Sequence, residues 1–227
     1  MKQTAIVLAG GLGTRLQQVV SEVPKPMAPV KGVPFLQYVL DHLQQNGIEE
    51  VLLSVGYLHE KISDYFGDRY QQLSLRYTIE SKPLGTGGAL NQAVALVDTP
   101  CFIVNGDTIF NVDLQAMKRF SEAQKADLTL ALKPMSDFDR YGAVALDERQ
   151  RILRFEEKKY CASGLINGGI YYLRRDVFAG RHLPEVFSFE KEILEAEAGG
   201  SLYGFQSDAL FLDIGIPEDY ARAATLL

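Results

Sequence analysis

The chain has 227 residues, of which 47% are hydrophobic and 23% are charged, and its formal net charge at pH 7 is −6. This composition is typical of a soluble globular protein, and the length predicts a single domain, residues 1–227, that is large enough to bury a full core. The negative balance argues against nucleic acid or an anionic membrane as a partner. It leaves room for a phosphorylated small molecule, which needs only a few local cations.

A glycine-rich loop follows the first predicted strand. The apolar run at residues 5–9 predicts the strand, and Gly-Gly-Leu-Gly-Thr-Arg follows at residues 10–15. Glycines let the backbone approach a ligand closely, and successive N–H groups in such a turn can bind an anion. Arg15 adds a fork of donors suited to phosphate, and Lys25 in Pro24-Lys25-Pro26 adds a compact cation. Two cations and a ring of amides at one sheet edge suit a triphosphate.

This loop differs from the two commoner phosphate-binding loops. Leu16 stands where a dinucleotide fingerprint needs its third glycine, which disfavours a dinucleotide-dependent oxidoreductase. The Gly-Lys-Ser/Thr ending of a nucleoside-triphosphatase loop does not occur in the sequence. A glycine-rich turn can also be no more than a tight connection, so the loop alone leaves both interpretations open.

Helix-like and strand-like patterns alternate after this loop. Apolar residues at helical spacing predict helices over 36–43, 62–66, 89–97 and 114–124, with Tyr65 and Val97 among the buried positions. Apolar runs predict strands over 51–55, 73–79, 101–104 and 128–133. The alternation predicts an α/β fold with an open, mostly parallel central sheet wrapped by helices. Such sheets bind ligands outside the carboxyl ends of their strands.

The second half of the chain is predicted to be a smaller, β-rich region that packs against the first half and covers the strand ends. Its patterns predict short strands over 141–146, 152–156, 166–173, 202–206 and 209–212, with a hairpin loop at 147–149. Two short helices are predicted over 189–197 and 218–226. We place the division between the halves near residue 135.

Two aspartates follow apolar strands in the same way. Asp107 comes after Ile103-Val104-Asn105-Gly106, and Asp213 comes after Leu210-Phe211-Leu212 and before a glycine-containing turn. Mg²⁺ prefers oxygen ligands and commonly takes one or two carboxylates together with phosphate oxygens. The alternative is that each aspartate only caps a turn. Together, the two carboxylates predict one divalent-cation site.

A second glycine cluster, Leu84-Gly85-Thr86-Gly87-Gly88-Ala89, opens a predicted helix. Glycines would let a flat ligand such as a base lie against the backbone, and Glu80 just ahead could accept hydrogen bonds from ring N–H groups. Equally, Gly87 and Gly88 could serve only to let the helix pack closely. The sequence leaves these two interpretations open.

Two segments of the second half could hold a sugar phosphate. Glu156-Glu157-Lys158 ends a strand, and Asn167-Gly168-Gly169 lies within another. A carboxylate beside a cation suits this ligand, because the carboxylate accepts hydrogen bonds from hydroxyls and the lysine meets the phosphate. A charge run at a strand end is also commonly just solvated. The three histidines have no ligand-like spacing, which leaves a zinc site or a serine hydrolase unsupported.

The cysteines and the N-terminus predict a cytoplasmic protein. Cys101 and Cys161 are the only cysteines, too few for a disulfide framework in a chain of this length, and this favours a reducing compartment. The apolar stretch near the N-terminus is too short for a signal-peptide core or a membrane span. The composition leaves homo-oligomer formation open.

In combination, these motifs resemble those of the sugar-1-phosphate nucleotidyltransferases, and the resemblance covers nearly the whole chain. It rests on the segments 8–16, 24–26, 84–89, 105–107, 157–158, 167–169 and 213–220, which occur in the family's order. The resemblance implies a Rossmann-like, three-layer α/β/α fold and Mg²⁺ dependence. It also implies that a nucleoside triphosphate and a sugar 1-phosphate are joined, with release of pyrophosphate.

The resemblance also implies roles for individual residues. Arg15 would hold the leaving phosphates, and Lys25 would contact the α-phosphate and the incoming phosphate. The implied nucleotide-binding residues, in the half at about 1–135, are Leu8, Ala9, Gly10, Gly11, Gly13, Thr14, Glu80, Gly85, Thr86 and Gly87. The implied sugar-phosphate-binding residues are Asp107 and, in the half at about 136–227, Gly142, Glu157, Lys158 and Asn167. The implied metal-binding residues are Asp107 and Asp213.

The chain departs from the family pattern at two places. Many relatives carry Pro-Leu-Thr where this chain has Gln17-Gln18-Val19, which concerns the shape of the loop rather than its phosphate contacts. Many bifunctional relatives also have a C-terminal repeat domain, whereas this chain stops at Leu227. We therefore expect the transferase activity alone.

Within the family, the resemblance favours GTP and D-glycero-D-manno-heptose 1-phosphate, with a product used in surface polysaccharide synthesis. The alternatives are mannose, glucose or N-acetylmuramate 1-phosphate with GTP, dTTP or UTP. A non-catalytic nucleotide-sugar sensor is a further alternative. The presence of Lys25, Asp107 and Asp213 together speaks against a sensor, because a sensor needs no geometry for attack.

Overall fold

A computed structural model describes residues 2–11, 16, 20, 22–174 and 176–227. Its centre is an eight-stranded mixed sheet with the order β13-β9-β12-β7-β1-β4-β6-β5. The strands are β1 (Thr4–Leu8), β2 (Pro29–Val30), β3 (Val33–Pro34), β4 (Glu50–Val55), β5 (Arg69–Tyr70), β6 (Leu73–Ile79), β7 (Cys101–Asn105), β8 (Thr108–Phe110), β9 (Leu128–Phe138), β10 (Val144–Leu146), β11 (Ile152–Phe155), β12 (Cys161–Leu173), β13 (Leu202–Gln206) and β14 (Phe211–Asp213).

The α-helices of the described residues are α1 (Phe35–Gln45), α2 (His59–Phe66), α3 (Gly85–Val94), α4 (Leu114–Gln124), α5 (Glu195–Glu197) and α6 (Pro217–Leu226). A 3₁₀ turn spans Lys25–Met27, and a π-helical turn spans Glu190–Leu194. The implied residues Gly13, Thr14 and Arg15, together with Leu12 and the segment 17–19, lie outside the described residues.

The three-layer architecture follows from the alternation of side chains along buried strands. β1 pairs in parallel with β4 on one side and with β7 on the other, so it is central and apolar on both faces. Its Ala5 and Val7 pack into one core with residues of α1, α2 and α4, whereas Ile6 packs into the opposite core with residues of α3. This confirms the predicted α/β/α fold with helices on both faces of the sheet.

The second half of the chain extends the same sheet. β12 is antiparallel to β7 and to β9, and β13 runs parallel to β9 at the sheet edge. The division near residue 135 therefore falls inside β9. Among the described residues, three two-stranded pairings lie outside the main sheet: β2 with β3, β8 with β14 and β10 with β11. The last of them is the predicted hairpin around 147–149.

Two details of the helices differ from the sequence prediction. α3 begins at Gly85 and ends at Val94, so Val97 lies beyond it. Glycine has a poor intrinsic helix propensity, but packing against another segment holds these glycines in the helix, as described below. Tyr65 is 54% exposed, while Ile62 and Phe66 carry the buried face of α2.

The described residues contain no helix that is long and apolar enough to cross a membrane. Cys101 is buried and Cys161 is half-buried, and both are free thiols.

Candidate active site

Two adjoining clefts open at the carboxyl ends of the parallel strands. The first has a volume of about 430 Å³ and is lined by these implied residues: Leu8, Ala9, Gly10, Gly11, Lys25, Glu80, Gly85, Thr86 and Asp107. The second has a volume of about 770 Å³ and is lined by Gly142, Glu157, Lys158, Asn167 and Asp213. Asn105 and Gly215 line both clefts. Gly87 lines neither cleft, because it packs against the Phe187 ring.

An ion-pair cluster stands where the clefts meet. The Lys25 ammonium lies 2.5 Å from Asp107 Oδ2 and 3.7 Å from Asp213 Oδ1. Only 12% of the Lys25 side chain is exposed, against 35% for Asp107 and 27% for Asp213. Three residues that are far apart in the sequence therefore place two carboxylates around one nearly buried cation.

The strand pairing explains how Asp107 and Asp213 come together. Asp107 lies in the turn between β7 and β8, and β14 pairs antiparallel with β8 so that Asp213 is opposite Thr108. The Ile214 N–H donates to the Asp107 carbonyl at 3.1 Å. Gly106 lets this turn approach β1, because a Cβ there would lie 2.7 Å from the Leu8 carbonyl oxygen.

The surroundings of Asp213 disfavour the charged form of its carboxyl group. Burial raises its pKa, and the nearby charge of Asp107 raises it further, while Lys25 and the Gly215 N–H oppose the shift. The Gly215 N–H donates to Asp213 Oδ1 at 2.7 Å. The site thus keeps a concentration of negative charge that a bound cation would relieve.

The carboxylate pair fits a hard divalent cation. Mg²⁺ in nucleotide enzymes binds one or two carboxylates and completes its shell with phosphate oxygens and water. Within the described ranges, no group of three or more His, Cys, Asp or Glu side chains is arranged to hold a metal. Asp107 and Asp213 suit an ion that completes its shell with phosphate oxygens and water.

The far side of the first cleft is formed by Gly10 and Glu80. A Cβ at Gly10 would lie 2.3 Å from Glu80 Oε1 and 3.2 Å from the Gly56 nitrogen, so a larger residue there would displace the Glu80 carboxylate. Glu80 Oε2 accepts a hydrogen bond from the Leu84 N–H at 3.0 Å. Burial raises the pKa of Glu80, and the Leu84 N–H lowers it to a smaller extent. Glu80 is thus a fixed, partly buried acceptor facing the cleft.

The glycines of α3 contact protein rather than open space. A Cβ at Gly87 would lie 2.2 Å from the Phe187 ring, and one at Gly88 would lie 2.4 Å from the Glu185 carbonyl oxygen. At Gly85, where φ is +71°, a Cβ would lie 2.5 Å from the Phe187 carbonyl oxygen. Of the two interpretations left open by the sequence, close packing is the one that these contacts support for Gly87 and Gly88.

The second cleft combines close backbone packing with exposed charges. A Cβ at Gly142 would lie 2.4 Å from the Glu156 carbonyl oxygen, which leaves no room for a side chain. Glu156 pairs with Arg154 at 3.1 Å and with Lys159 at 2.8 Å, whereas the exposed Glu157 and Lys158 face the cleft.

Asn167 lies at a bulge in β12. The register between β12 and β9 shifts between Asn167 and Tyr171, and bulges of this kind are common beside active sites. The Asn167 amide donates to the Tyr171 hydroxyl at 2.9 Å, and its oxygen accepts from the Gly169 N–H at 2.8 Å. The side chain is therefore held in place on the cleft wall by both of its polar ends.

Several residues of the second cleft were not predicted from the sequence. Arg140 pairs with Asp219 at 2.7 Å, and its guanidinium lies 5.7 Å from the Tyr141 ring centroid. Burial and the charge of Asp213 raise the pKa of Tyr141 to about 12. Glu190 and Lys191 enter the cleft from the π-helical turn. Arg140 and Tyr141 directly precede Gly142, and this position in the sequence could have identified them as cleft residues.

Comparison with known proteins identifies the family of the chain. A sequence model described as "Nucleotidyl transferase" matches residues 4–227. D-glycero-alpha-D-manno-heptose 1-phosphate guanylyltransferase of Aneurinibacillus thermoaerophilus is 51% identical over 96% of this chain and 96% of its own length. The protein of the same name from Campylobacter jejuni is 44% identical over 95% of this chain and 96% of its own length.

A solved structure of a related protein has the same fold. The crystal structure of HddC from Yersinia pseudotuberculosis complexed with GMP-PN superimposes with a TM-score of 0.86 and 33% identity, covering 98% of each chain. The family model matches nearly the whole chain, and the relatives are similar over nearly their full length. The chain belongs to the nucleotidyl transferase family.

Proposed function

We propose that the protein transfers GMP from GTP to D-glycero-α-D-manno-heptose 1-phosphate, releasing pyrophosphate and forming GDP-heptose. The observation that carries this proposal is the 51% identity, over 96% of both chains, to a relative that bears this activity in its name. The meeting of two clefts at Lys25, Asp107 and Asp213 supports it, since each cleft can hold one of the two substrates.

The proposed chemistry is an in-line attack on the α-phosphorus of GTP. An oxygen of the sugar phosphate forms the new P–O bond, and the bond between the α-phosphorus and the bridging oxygen to the β-phosphate breaks, so that pyrophosphate leaves with the bonding electrons. No general base is needed, because a phosphate monoester oxygen is already ionised near neutral pH. Catalysis then consists of positioning two anions and neutralising their charge.

Lys25 is the described cation best placed for this task. Its ammonium lies at the junction of the clefts, where the α-phosphate and the incoming phosphate must meet. The sequence resemblance adds Arg15 as the residue that holds the leaving phosphates. Mg²⁺ bound by Asp107 and Asp213 would supply charge neutralisation at the phosphates. The chain's own contribution is to hold these carboxylates together through the pairing of β8 with β14.

We further propose that Glu80 selects guanine. Its carboxylate is fixed by the Leu84 N–H and faces the first cleft. Guanine carries adjacent N1–H and N2–H donors that a carboxylate can accept together, whereas adenine has no N–H on its ring at this edge. Such a pairing favours GTP among the nucleoside triphosphates.

Replacing Glu80 by glutamine tests this assignment. We expect Glu80→Gln to lower kcat/KM for GTP by about 10- to 100-fold, because a charged acceptor of two hydrogen bonds is replaced by an amide that can pair with only one of them. Steady-state pyrophosphate release at varied GTP measures the effect. Glu185→Gln is the matched control, since Glu185 is an exposed glutamate beside the same helix and pairs with Lys82. An unchanged kcat/KM in Glu80→Gln would remove Glu80 from base recognition.

The substrate pair itself is tested with a panel. GTP, dTTP, UTP and ATP are each combined with heptose, mannose, glucose and N-acetylmuramate 1-phosphate, and pyrophosphate release is measured with Mg²⁺ present. We expect the highest kcat/KM for GTP with the heptose phosphate. A higher value for another pair would replace the assigned substrates, and tight product binding without turnover would indicate a sensor instead.

The cellular role is proposed from the product. GDP-heptose is an activated sugar, and we infer that it serves surface polysaccharide synthesis. Two free cysteines are compatible with a reducing compartment, and we place the enzyme in the cytoplasm, where nucleoside triphosphates are available.

A further inference from the structure

One of the contacts that join the walls of the two clefts is a side-chain hydrogen bond of Thr86. The Thr86 hydroxyl donates to Glu190 Oε2 at 2.7 Å and accepts a hydrogen bond from the Phe189 N–H at 2.9 Å. Thr86 lines the first cleft, and Glu190 lines the second. Since a hydroxyl has one proton to donate, the Thr86 proton is committed to Glu190 and not to a nucleotide.

Backbone contacts fix the segment that carries Glu190 against α3. The Gly87 N–H donates to the Phe187 carbonyl at 2.9 Å, and the Phe187 N–H donates to the Leu84 carbonyl at 3.1 Å. The absence of side chains at Gly85, Gly87 and Gly88 makes this approach possible. The glycine cluster therefore anchors a segment whose continuation, the π-helical turn, forms part of the second cleft. Turns of this kind are frequent at functional sites.

The two oxygens of the Glu190 carboxylate differ in their hydrogen bonds. Oε2 accepts from the hydroxyls of Thr86 and Ser188, the latter at 2.8 Å. Among the residues that the structure describes, none donates a hydrogen bond to Oε1. A carboxylate oxygen in this state is a strong acceptor for a ligand hydroxyl, because hydrogen bonds to an ionised acceptor are stronger than those to a neutral one.

The same wall includes Asn167. Phe189, next to Glu190, packs edge-to-face on Tyr171 with ring centroids 5.2 Å apart. The Tyr171 hydroxyl accepts the hydrogen bond from the Asn167 amide. Thr86 is thus connected through Phe189 to a second polar group of the cleft.

We propose that Glu190 binds a hydroxyl of the sugar and that Thr86 is its positioning residue. Thr86 then determines binding of the sugar phosphate although it lies on the wall of the other cleft. This inference rests on the proposed function, and it assigns the Leu-Gly-Thr-Gly-Gly segment at 84–88 to assembly of the sugar site rather than to contact with the base.

Thr86→Val is the direct test, because valine keeps the shape of the side chain and removes both hydrogen bonds of the hydroxyl. We expect KM for heptose 1-phosphate to rise about 10-fold, while the Kd for GTP, measured by calorimetry without the sugar phosphate, changes less than about twofold. Thr86→Ser keeps the hydroxyl and is expected to behave as wild type. Glu190→Ala should reproduce the Thr86→Val phenotype, and the double variant should be no worse than Glu190→Ala.

Three outcomes would overturn the inference. The first is a weaker Kd for GTP in Thr86→Val with an unchanged KM for the sugar phosphate. The second is an unchanged KM in Glu190→Ala. The third is an additive double variant. If Thr86→Val unfolds, Thr86→Ala replaces it, and an unchanged KM for the sugar phosphate in that variant would exclude Thr86 as the positioning residue. Failure of the proposed function itself is separate, since it appears as a lack of turnover by the wild-type protein with the same two substrates.

Discussion

Lys25→Met is expected to lower kcat by about 100- to 1,000-fold, the usual loss when one preorganised electrostatic group of an active site is removed. The Lys25 ammonium lies between Asp107 and Asp213, at the junction of the two clefts. In the proposed reaction its charge would offset the repulsion between the phosphate of the sugar and the α-phosphate of GTP, and methionine keeps the length of the side chain without the charge. Pyrophosphate release under saturating GTP and heptose 1-phosphate measures the loss.

The thermal stability of Lys25→Met should depend on divalent cation more strongly than that of the wild type. Without the ammonium, two carboxylates face each other with no cation between them, and a group that binds only the folded state stabilises it. We therefore expect Mg²⁺ to raise the Tm of the variant more than that of the wild type. Lys61→Met, on the exposed side of α2, is the control for loss of a lysine elsewhere. Turnover within about threefold of wild type in Lys25→Met would exclude Lys25 from catalysis.

Much of the fold could be predicted from local patterns. α4 has the predicted bounds because Asp113 caps it, accepting from the Ala116 N–H at 2.8 Å, and because its apolar positions keep helical spacing. The central strands were recognisable as short apolar runs, since a strand buried on both faces has few polar residues. These signals lie within the segment itself, so no knowledge of its neighbours was needed.

Other elements depend on partners that the sequence does not reveal. β12 begins at Cys161 rather than at residue 166, because pairing with the extended end of β9 holds its first residues, which have no apolar pattern of their own. α3 begins four residues before its predicted start at residue 89, because docking of residues 185–187 stabilises glycines that would not form a helix alone.

The candidate site, too, could be predicted only in part from local patterns. The residue types expected at strand ends were visible, and the structure brings Asp107 and Asp213 together around Lys25. The supporting contacts were not visible, because Thr86 and Glu190 are 104 positions apart in the sequence and Arg140 meets Asp219 only through the packing of α6. A pattern within one chain can indicate a functional residue, but the group that orients it comes from tertiary structure.

The second large effect is expected at Asp213, where activity and stability should separate. Asp213→Asn should lower kcat/KM by at least about 100-fold, because one of the two carboxylates that suit the divalent cation is lost. The same change should leave the Tm unchanged or raise it by about 2–4 °C, which corresponds to about 1 kcal/mol for a chain of this size. Burial and the charge of Asp107 raise the pKa of Asp213, so the folded state disfavours its ionised form.

Asparagine at position 213 relieves that strain without losing the local hydrogen bond. Its side-chain oxygen can still accept from the Gly215 N–H, which donates to Asp213 Oδ1 at 2.7 Å. The loss of attraction to Lys25 is modest, because that distance is 3.7 Å and Lys25 keeps its contact with Asp107. Removal of a buried charge beside a like charge then offsets the lost attraction.

Asp219→Asn is the matched comparison, with the opposite sign expected for stability. Asp219 is 9% exposed at its side chain and pairs with Arg140 at 2.7 Å and with Arg222 at 3.1 Å, so its charge is compensated. A neutral amide at this position loses the charge attraction to both guanidinium groups. We expect a decrease of about 1–3 kcal/mol in the free energy of unfolding. Thermal and urea unfolding of both variants, with activity measured on the same samples, provide the comparison. Equal destabilisation by the two substitutions would contradict this account, since neutralising Asp213 should remove repulsion by Asp107 whereas neutralising Asp219 should remove attraction to two arginines.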